Sequence, residues 1–231
     1  MDRFDGRTAV VVGADNAIGR ACAERLATEG ARVQVVGESD HDIADPDAMR
    51  TAAVRCGTSV DVLVNCHVAL DWTSIEDSEL AVWEESIRVN LLGPLVCTKA
   101  FLPLLRAGRE PAVVHLGSVD GMLGNPSVPA YSTAKGGLIP LTHVMAHELA
   151  AFGIRVNSVA RAAVADPAID PERVARVLEV TPLRRVAEAA EVAAAVAFLA
   201  SEDASYITGA VLTVDGGRSG LTPGTVGPPS Q

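Results

Sequence analysis

The chain has 231 residues, of which 48% are hydrophobic, and this content suits one compact domain with a large core better than two small domains. Its 29 Asp and Glu residues outnumber its 19 Lys and Arg residues, so the formal net charge is −10, and aromatic residues make up 3%. An acidic surface that is poor in stacking rings argues against nucleic-acid binding and against binding to anionic membranes.

The sequence shows no membrane-spanning segment, no secretory signal and no paired cysteines. No apolar run reaches the roughly 18 residues that a membrane-spanning helix needs. Residues 1–7 lack the apolar core of a secretory signal. The four cysteines show no C-x-x-C pair, so we expect neither disulfides nor a metal site: Cys22, Cys56, Cys66 and Cys97. The sequence predicts a soluble, cytoplasmic protein.

Strand and helix signals alternate from the start of the chain. A β-branched run at 8–12 ends at Gly13, and an amphipathic stretch from 18 to 29 follows it. Further strands are predicted at 33–36, 60–64, 112–116, 154–159 and 211–214, and further helices near 46–57, 78–106, 131–152 and 188–200. This order predicts an α/β fold, a single Rossmann-like domain over 1–217 with a doubly wound parallel sheet. The Gly- and Pro-rich segment 218–231 is predicted to be a flexible tail.

The connection after the second strand is too short for a regular α/β unit. Six residues, Gly37 to Asp42, separate Val36 from Ile43. A parallel neighbouring strand needs a crossover of roughly a dozen residues or more. We therefore predict that the sheet lacks one strand and one helix after the second strand, which makes 33–36 its margin.

A glycine turn joins the first strand to the first helix. Such a turn presents backbone N–H groups and a helix N-terminus to an anion, usually a pyrophosphate. Gly13 and Gly19 suit the positive φ or the close ligand approach that this requires, but the middle position is Ala17. By itself the motif is equally compatible with a tight strand–helix turn.

An acidic residue follows the second strand at the position where dinucleotide-binding folds hold a ribose. Glu38 lies nineteen residues after Gly19, and a carboxylate there would accept from a ribose 2′-OH and repel a 2′-phosphate. Asp15 adds to this repulsion, and no Lys or Arg precedes Arg20 in the turn. If a dinucleotide binds, NAD(H) is favoured over NADP(H); in the other interpretation Glu38 is a solvated loop charge.

Three residues combine into an acid/base arrangement. Ser118 follows the strand at 112–116, and Tyr131 comes thirteen residues after it. Lys135 lies four residues beyond Tyr131, on the same face of the predicted helix. A nearby ammonium lowers the pKa of a phenol from about 10, which makes it a usable general acid or base. The serine hydroxyl would hydrogen-bond a substrate oxygen.

With these motifs the chain resembles the short-chain dehydrogenases/reductases over nearly all of 5–217. The matching segments are the glycine turn, 61–65, 90–93, 117–118, 131–135, 154–159, 198–201, 206–209 and 214–217. Residues 117–121 and 124–125 are most similar to the ketoacyl-carrier-protein reductase and polyketide ketoreductase branch. The resemblance implies a doubly wound sheet, NAD(P) as hydride carrier, a carbonyl or alcohol substrate, and a homodimer or homotetramer.

The resemblance also implies roles for individual residues. Tyr131 would exchange the proton, Lys135 would lower the pKa of Tyr131 and hold the nicotinamide ribose, Ser118 would orient the carbonyl, and Asn90 would support a relay water. The predicted cofactor-binding residues are Gly13, Asn16, Ile18, Gly19, Glu38, Asp42, Ile43 and Asn65.

The chain departs from this family on the cofactor side. Ala17 replaces the middle glycine of the turn, 66–68 read Cys-His-Val instead of Asn-Ala-Gly, and Arg161-Ala162 replace a Pro-Gly pair. Each added side chain in a tight contact costs about 1–3 kcal/mol. His67 and Arg161 are interpreted either as new catalytic or anion-binding groups, or as a solvated pair or a hydrogen-bonded histidine.

Three functions therefore stay open. The first is a nicotinamide-dependent oxidoreductase that interconverts a ketone and a secondary alcohol. The second is a cyclase, dehydratase or lyase that uses the same acid/base residues without any nicotinamide cofactor. The third is an inactive partner subunit. The complete set Ser118, Tyr131, Lys135 and Asn90 favours the first, and the altered cofactor side favours the second.

Overall fold

The computed structural model of the protein describes residues 2–37, 42–166 and 170–220. Its strands are β1 (Thr8–Val12), β2 (Arg32–Val36), β3 (Val62–Asn65), β4 (Ala112–Ser118), β5 (Arg155–Arg161) and β6 (Val211–Val214). Its α-helices are α1 (Ala17–Thr28), α2 (Pro46–Arg55), α3 (Leu80–Ile87), α4 (Gly93–Arg106), α5 (Asp120–Leu123), α6 (Pro129–Leu149), α7 (Pro171–Glu179) and α8 (Ala189–Ala200). A single α/β domain results, as the alternating pattern predicts.

The strands form one parallel sheet in the order β2-β1-β3-β4-β5-β6. Its central strands are short Val-rich runs that are buried on both faces, which is typical of a parallel sheet between helical layers. Alternate residues enter opposite cores: Val11 packs in the layer that contains α1 and α8, and Val10 packs in the layer that contains α2, α4 and α6. The sheet is therefore doubly wound.

The predicted shortening of the sheet is confirmed. β2 pairs with β1 and lies at the margin of the six-stranded sheet. The next regular element of the described chain is α2, which begins at Pro46. A strand and a helix that would cover this edge are absent from the described residues. Glu38, the predicted ribose ligand, lies outside them.

The long helix predicted near 78–106 contains an irregular turn. α3 ends at Ile87, residues Arg88–Leu92 form a π-helical turn, and α4 continues from Gly93. The whole stretch Leu80–Arg106 is long and apolar enough to cross a membrane by length and composition alone. Phe101 and Leu105 are nevertheless fully buried in the core beside β3 and β4, as in a helix that covers a sheet.

Two other segments differ in detail from their predictions. α7 (Pro171–Glu179) lies in a region for which the sequence analysis predicts no helix. Arg218–Gly220 form a short 3-10 turn at the start of the predicted tail. The remainder of that tail, 221–231, lies outside the described residues.

Candidate active site

The candidate catalytic residues meet at the carboxyl ends of β4 and β5. Ser118 is the last residue of β4, and Tyr131 lies in the first turn of α6, which begins with Pro129. Proline suits this position because the first helical N–H has no partner within the helix. In open α/β sheets, ligands bind in the crevice outside the carboxyl ends of the strands. The fold therefore brings both residues to the edge at which a substrate would bind.

Tyr131 and Lys135 share one face of α6, as their spacing predicts. The Nζ atom of Lys135 lies 5.8 Å from the centroid of the Tyr131 ring. The same Nζ donates a hydrogen bond of 2.8 Å to the carbonyl oxygen of Leu116 in β4. Each residue is 2% exposed. The ammonium is thus held next to the phenol by the sheet, in a position largely excluded from water.

A close contact between α5 and α6 keeps this face of α6 near Ser118. A Cβ atom added at Gly121 would lie 2.5 Å from the backbone carbonyl carbon of Lys135. Glycine is therefore required for α5 to approach α6 at this level. Ser118 itself accepts a hydrogen bond of 3.1 Å from the backbone N–H of Asp120, at the start of α5. Its hydroxyl proton remains to be donated to a substrate oxygen.

Asn90 occupies the π-helical turn between α3 and α4. Its amide nitrogen donates to the carbonyl oxygens of Ala69 (2.7 Å) and Ser86 (3.1 Å), and its amide oxygen accepts from the N–H of Ala69 (3.2 Å). The side chain is fully buried, and these bonds fix the loop after β3. π-Helical turns are frequent at functional sites. A relay water supported by Asn90 stays a prediction.

The glycine turn is tied to the end of β3 by Asn16. Asn16 caps α1 by accepting from the N–H of Gly19 (2.9 Å), and it donates to the carbonyl oxygens of Gly13 (2.8 Å) and Cys66 (2.9 Å). Gly13 has a φ of +82°, and a Cβ there would lie 2.5 Å from the backbone nitrogen of His67. A Cβ at Gly19 would lie 2.2 Å from the carbonyl oxygen of Gly13.

This turn fits a pyrophosphate. Both glycines are sterically required, and the first-turn N–H groups of α1 have no partners within the helix. Ala17 is exposed, so its methyl group does not distort the protein's own packing. The residues of this chain that would hold a nicotinamide dinucleotide are therefore present at the turn.

The other predicted cofactor contacts are Ile18, Asp42, Ile43 and Asn65, whose surroundings in the structure are as follows. Ile18 and Ile43 are 7% and 3% exposed and pack in the two cores. Asp42 forms an ion pair with Arg88 in the π-helical turn. Asn65, at the end of β3, is 2% exposed, with its amide nitrogen 3.1 Å from Nδ1 of His115. Their contacts with a cofactor stay predictions.

His67 is neither solvated nor hydrogen-bonded, so that interpretation of it is wrong. It is 1% exposed, and both ring nitrogens have no hydrogen-bond partner among the described residues. The ring lies against Gly93, where an added Cβ would be 2.8 Å from Nε2. Space left by this glycine accommodates the ring but supplies no acceptor.

A second buried histidine, which the sequence analysis did not single out, lies in β4. His115 is fully buried, and its Nε2 has no partner among the described residues. Burial, with a smaller contribution from the charge of Lys135, lowers the pKa of His115 to about 3. The pKa of His67 is lowered well below its usual range, mainly by burial and to a smaller extent by the charges of Lys135 and His115. Both rings are therefore neutral, and Lys135 carries the positive charge here.

Arg161 also reaches the phenol of Tyr131. It is the last residue of β5 and pairs in register with Ser118 of β4. Its Nη2 lies 3.4 Å from the Tyr131 hydroxyl oxygen. Arg161 and Lys135 thus approach the Tyr131 side chain from β5 and from within α6, and Ser118 ends the neighbouring strand.

Comparisons with known proteins agree with this geometry. A family model described as enoyl-(acyl carrier protein) reductase matches residues 38–219. Cis-4-hydroxycyclohexanecarboxylate dehydrogenase of Sinomonas cyclohexanicum is 36% identical over 95% of this chain and 99% of its own length. The 3-oxoacyl-(acyl-carrier-protein) reductase of Escherichia coli is 33% identical over 93% of this chain and 98% of its own. The ligand-free aldohexose dehydrogenase of Thermoplasma acidophilum superimposes with a TM-score of 0.90 at 30% identity, covering 98% of this chain and 99% of that one.

Proposed function

The chain belongs to the short-chain dehydrogenase/reductase family and is an alcohol/ketone oxidoreductase of this type, and we propose that it uses NAD(H) with Tyr131 as general acid and base. The observation that carries this proposal is the pair of Tyr131 and Lys135, buried together beside Ser118 at the carboxyl edge of the sheet. A nicotinamide cofactor, which the family implies, supplies or accepts the hydride when it is bound.

The roles of the chain's own residues follow from their positions. In the direction of reduction, the Ser118 hydroxyl donates a hydrogen bond to the ketone oxygen and orients it. Tyr131 transfers its proton to that oxygen as the carbonyl carbon becomes an alcohol carbon. Lys135, anchored on Leu116, stabilises the phenolate that remains until it is reprotonated. In oxidation the same groups act in the reverse order.

Charge at the glycine turn supports NAD(H) over NADP(H). Asp15 is exposed next to Gly13, and Glu38 follows β2 in the sequence. Carboxylates in these positions disfavour a ribose 2′-phosphate and suit a free 2′-hydroxyl. We further propose a small-molecule substrate, a cytoplasmic location and a homodimer or homotetramer, since the acidic composition and the family resemblance favour them.

The experiment that tests this proposal compares the wild-type protein with Tyr131→Phe. Purified enzyme is assayed for NADH oxidation with a panel of ketones, and the melting temperature of each protein is recorded. Loss of a general acid lowers kcat by about 10²- to 10⁴-fold. We expect a loss of that size with nearly unchanged NADH affinity, because the phenyl ring keeps the packing. Undiminished activity of Tyr131→Phe would overturn the assignment of this phenol.

A second candidate function is favoured by a different observation. Arg161 and the 66–68 segment place larger side chains on the cofactor side than the family pattern has. The same acid/base residues could then catalyse a cyclisation, dehydration or cleavage without nicotinamide. The third candidate is an inactive partner subunit. The presence of all four residues of the predicted catalytic set argues against it: Ser118, Tyr131, Lys135 and Asn90. Cofactor binding distinguishes the first candidate from both.

A further inference from the structure

Arg161 is held at the catalytic position by its strand. Its register partner in β4 is Ser118, and the backbone N–H of Val119 donates a 3.1 Å hydrogen bond to its carbonyl oxygen. The guanidinium places Nη2 3.4 Å from the phenol oxygen of Tyr131. The backbone of Arg161 is therefore fixed beside one catalytic residue, and its side chain reaches a second.

The hydrogen-bonding capacity of this guanidinium is largely unused within the described part of the chain. Nη1 donates to the carbonyl oxygen of the adjacent Ala162 (3.1 Å), whereas Nε is buried with no partner there. No carboxylate among the described residues forms an ion pair with Arg161. Because Arg161 is half-buried and no described carboxylate balances its charge, the remaining Nη hydrogens can be donated to an anionic ligand.

Another arginine of the same strand shows the contrast. Arg155, at the beginning of β5, donates to the carbonyl oxygens of Leu199 (2.7 Å), Ile207 (3.3 Å) and Ser201 (3.0 Å). Its role is to join β5 to the end of α8 and the loop that follows. Arg161 makes no comparable set of contacts, although it is equally part of the strand. A structural role therefore explains Arg155 but does not explain Arg161.

We propose that Arg161 binds a carboxylate of the substrate, so that the substrate of the reaction proposed above is a 2-oxo or 3-oxo acid. A guanidinium presents two parallel N–H groups that match a carboxylate. Because Nη2 lies beside the phenol, a carboxylate on this fork is close to a carbonyl that accepts a proton from Tyr131. A 2-oxo acid has its ketone carbon bonded directly to the carboxylate carbon, and a 3-oxo acid has one carbon between them; these are the two classes with the short separation that the inference requires.

The carboxylate takes no part in bond making. The ketone carbon gains the hydride from NADH and the ketone oxygen gains the proton of Tyr131, so the products are the hydroxy acid and NAD+. Solvent returns one proton to the phenolate. Arg161 acts by holding the substrate, and this inference rests on the proposed function. The same chemistry predicts discrimination against esters and thioesters of these acids, which lack the negative charge.

The test compares oxo acids with their esters in three variants. Acetoacetate and ethyl acetoacetate, and pyruvate and methyl pyruvate, are assayed with NADH and the wild type, Arg161→Gln, Arg161→Lys and Arg185→Gln. Arg185 serves as the matched control because its guanidinium is exposed and already paired with Glu191 at 2.6 Å. Arg161→Gln should lower kcat/KM for at least one of the acids by about 10- to 100-fold, mainly through KM, since hydrogen bonds to charged groups contribute on that scale.

The other variants sharpen the interpretation. The esters should change less than about threefold in Arg161→Gln, Arg161→Lys should retain an intermediate preference for the acid, and Arg185→Gln should resemble the wild type. An equal loss for acid and ester in Arg161→Gln, or a wild-type preference for the esters, would overturn the carboxylate site. A selective increase in the KM for NADH would overturn it too, because Arg161 would then serve the cofactor.

Failure of the proposed function has a different signature, namely no NADH oxidation with any substrate. Binding then decides the inference. In a melting experiment with acetoacetate or pyruvate alone, the wild type should be stabilised more than Arg161→Gln, and the esters should show no such difference. Equal melting shifts of the two proteins, or no shift with either acid, would contradict the anion site independently of any redox activity.

Discussion

Two cations lie near the side chain of Tyr131, one on its own helix and one on β5. Lys135 approaches along α6 and is anchored on β4, whereas Arg161 approaches from the end of β5. Ser118 completes the set from β4. Because these groups belong to rigid elements, their positions are set before any substrate binds. In the proposed reaction Ser118 and Tyr131 act on the ketone oxygen, Lys135 stabilises the phenolate, and Arg161 holds the substrate carboxylate.

The buried histidines next to this site make the stability of the protein depend on pH. Burial lowers the pKa of His115 to about 3, whereas the unfolded ring titrates near 6.5. Between these values the unfolded chain binds a proton that the folded chain excludes. The contribution is therefore complete above about pH 6.5 and is lost as the pH falls toward 3, by about 1.4 kcal/mol per pH unit.

Replacing His115 with a residue that does not titrate should make the free energy of unfolding depend less on pH below about pH 6.5. The free energy of unfolding is measured by urea denaturation between about pH 6 and pH 4. Over this range we expect it to fall less steeply with decreasing pH in His115→Asn than in the wild type, and the two slopes should differ by about 1.4 kcal/mol per pH unit. His147→Asn is the matched control because its ring is exposed on α6. Parallel pH profiles for the wild type and His115→Asn would contradict the neutral, buried state of His115.

Single residues also mark the limit of prediction from the sequence. The spacing of Tyr131 and Lys135 predicts a shared helix face, since helical geometry is local. The same reasoning does not predict that His67 is buried without a partner, because Gly93, which makes room for it, comes 26 residues later. The approach of Arg161 to the phenol depends on the pairing of β4 with β5, which a single sequence does not specify.

Among the elements, the turn between β1 and α1 is held by a single side chain. Asn16 caps the helix, closes the turn on Gly13 and fastens it to Cys66 after β3. One side chain thus holds the geometry of the N–H groups that would face a pyrophosphate. Substitutions here should affect cofactor binding more than their cost in stability implies.

Asn16→Ala tests this coupling. Loss of the cap should lower the free energy of unfolding by about 1–2 kcal/mol, and loss of the tie to Cys66 should raise the Kd for NADH at least tenfold. Asp45→Ala is the matched control, because Asp45 caps α2 in the same way through the N–H groups of Asp47 and Ala48. It should lose similar stability and keep the Kd. A proportional change of stability and Kd in both variants would contradict a special role of Asn16.

At the level of elements, most of the fold is predictable. The strands from β1 to β6 and the major helices follow from β-branched runs and 3.6-residue periodicity, and the short link after Val36 predicts the marginal position of β2. α7 is missed although its sequence carries a helical signal: Asp170 caps it, Pro171 begins it, and Val174, Val177 and Leu178 follow at helical spacing. The π-helical turn is not predicted either, since it depends on the tertiary contacts of Asn90 with the loop after β3.

The molecule as a whole combines an acidic composition with a six-stranded sheet in which β2 is the edge strand. Net charge of −10 disfavours polyanionic partners, and Asp15 brings negative charge to the glycine turn. With β2 at the margin, the strand and helix that would extend the sheet beyond it are absent from the described residues. Without these elements, less of the surface of a bound adenine would be covered by protein. We therefore expect NADH to bind more weakly than it would in a fully enclosed site.

The central claim is that this site accepts NADH beside Tyr131, and the most direct measurement is the melting of the wild-type protein with NADH and with NADPH. A ligand at 100 times its Kd raises the free energy of unfolding by about 2.7 kcal/mol. We predict a concentration-dependent rise in melting temperature with NADH and a smaller rise with NADPH. No shift with either dinucleotide at millimolar concentration would contradict the account and leave the acid/base residues to a reaction without hydride transfer.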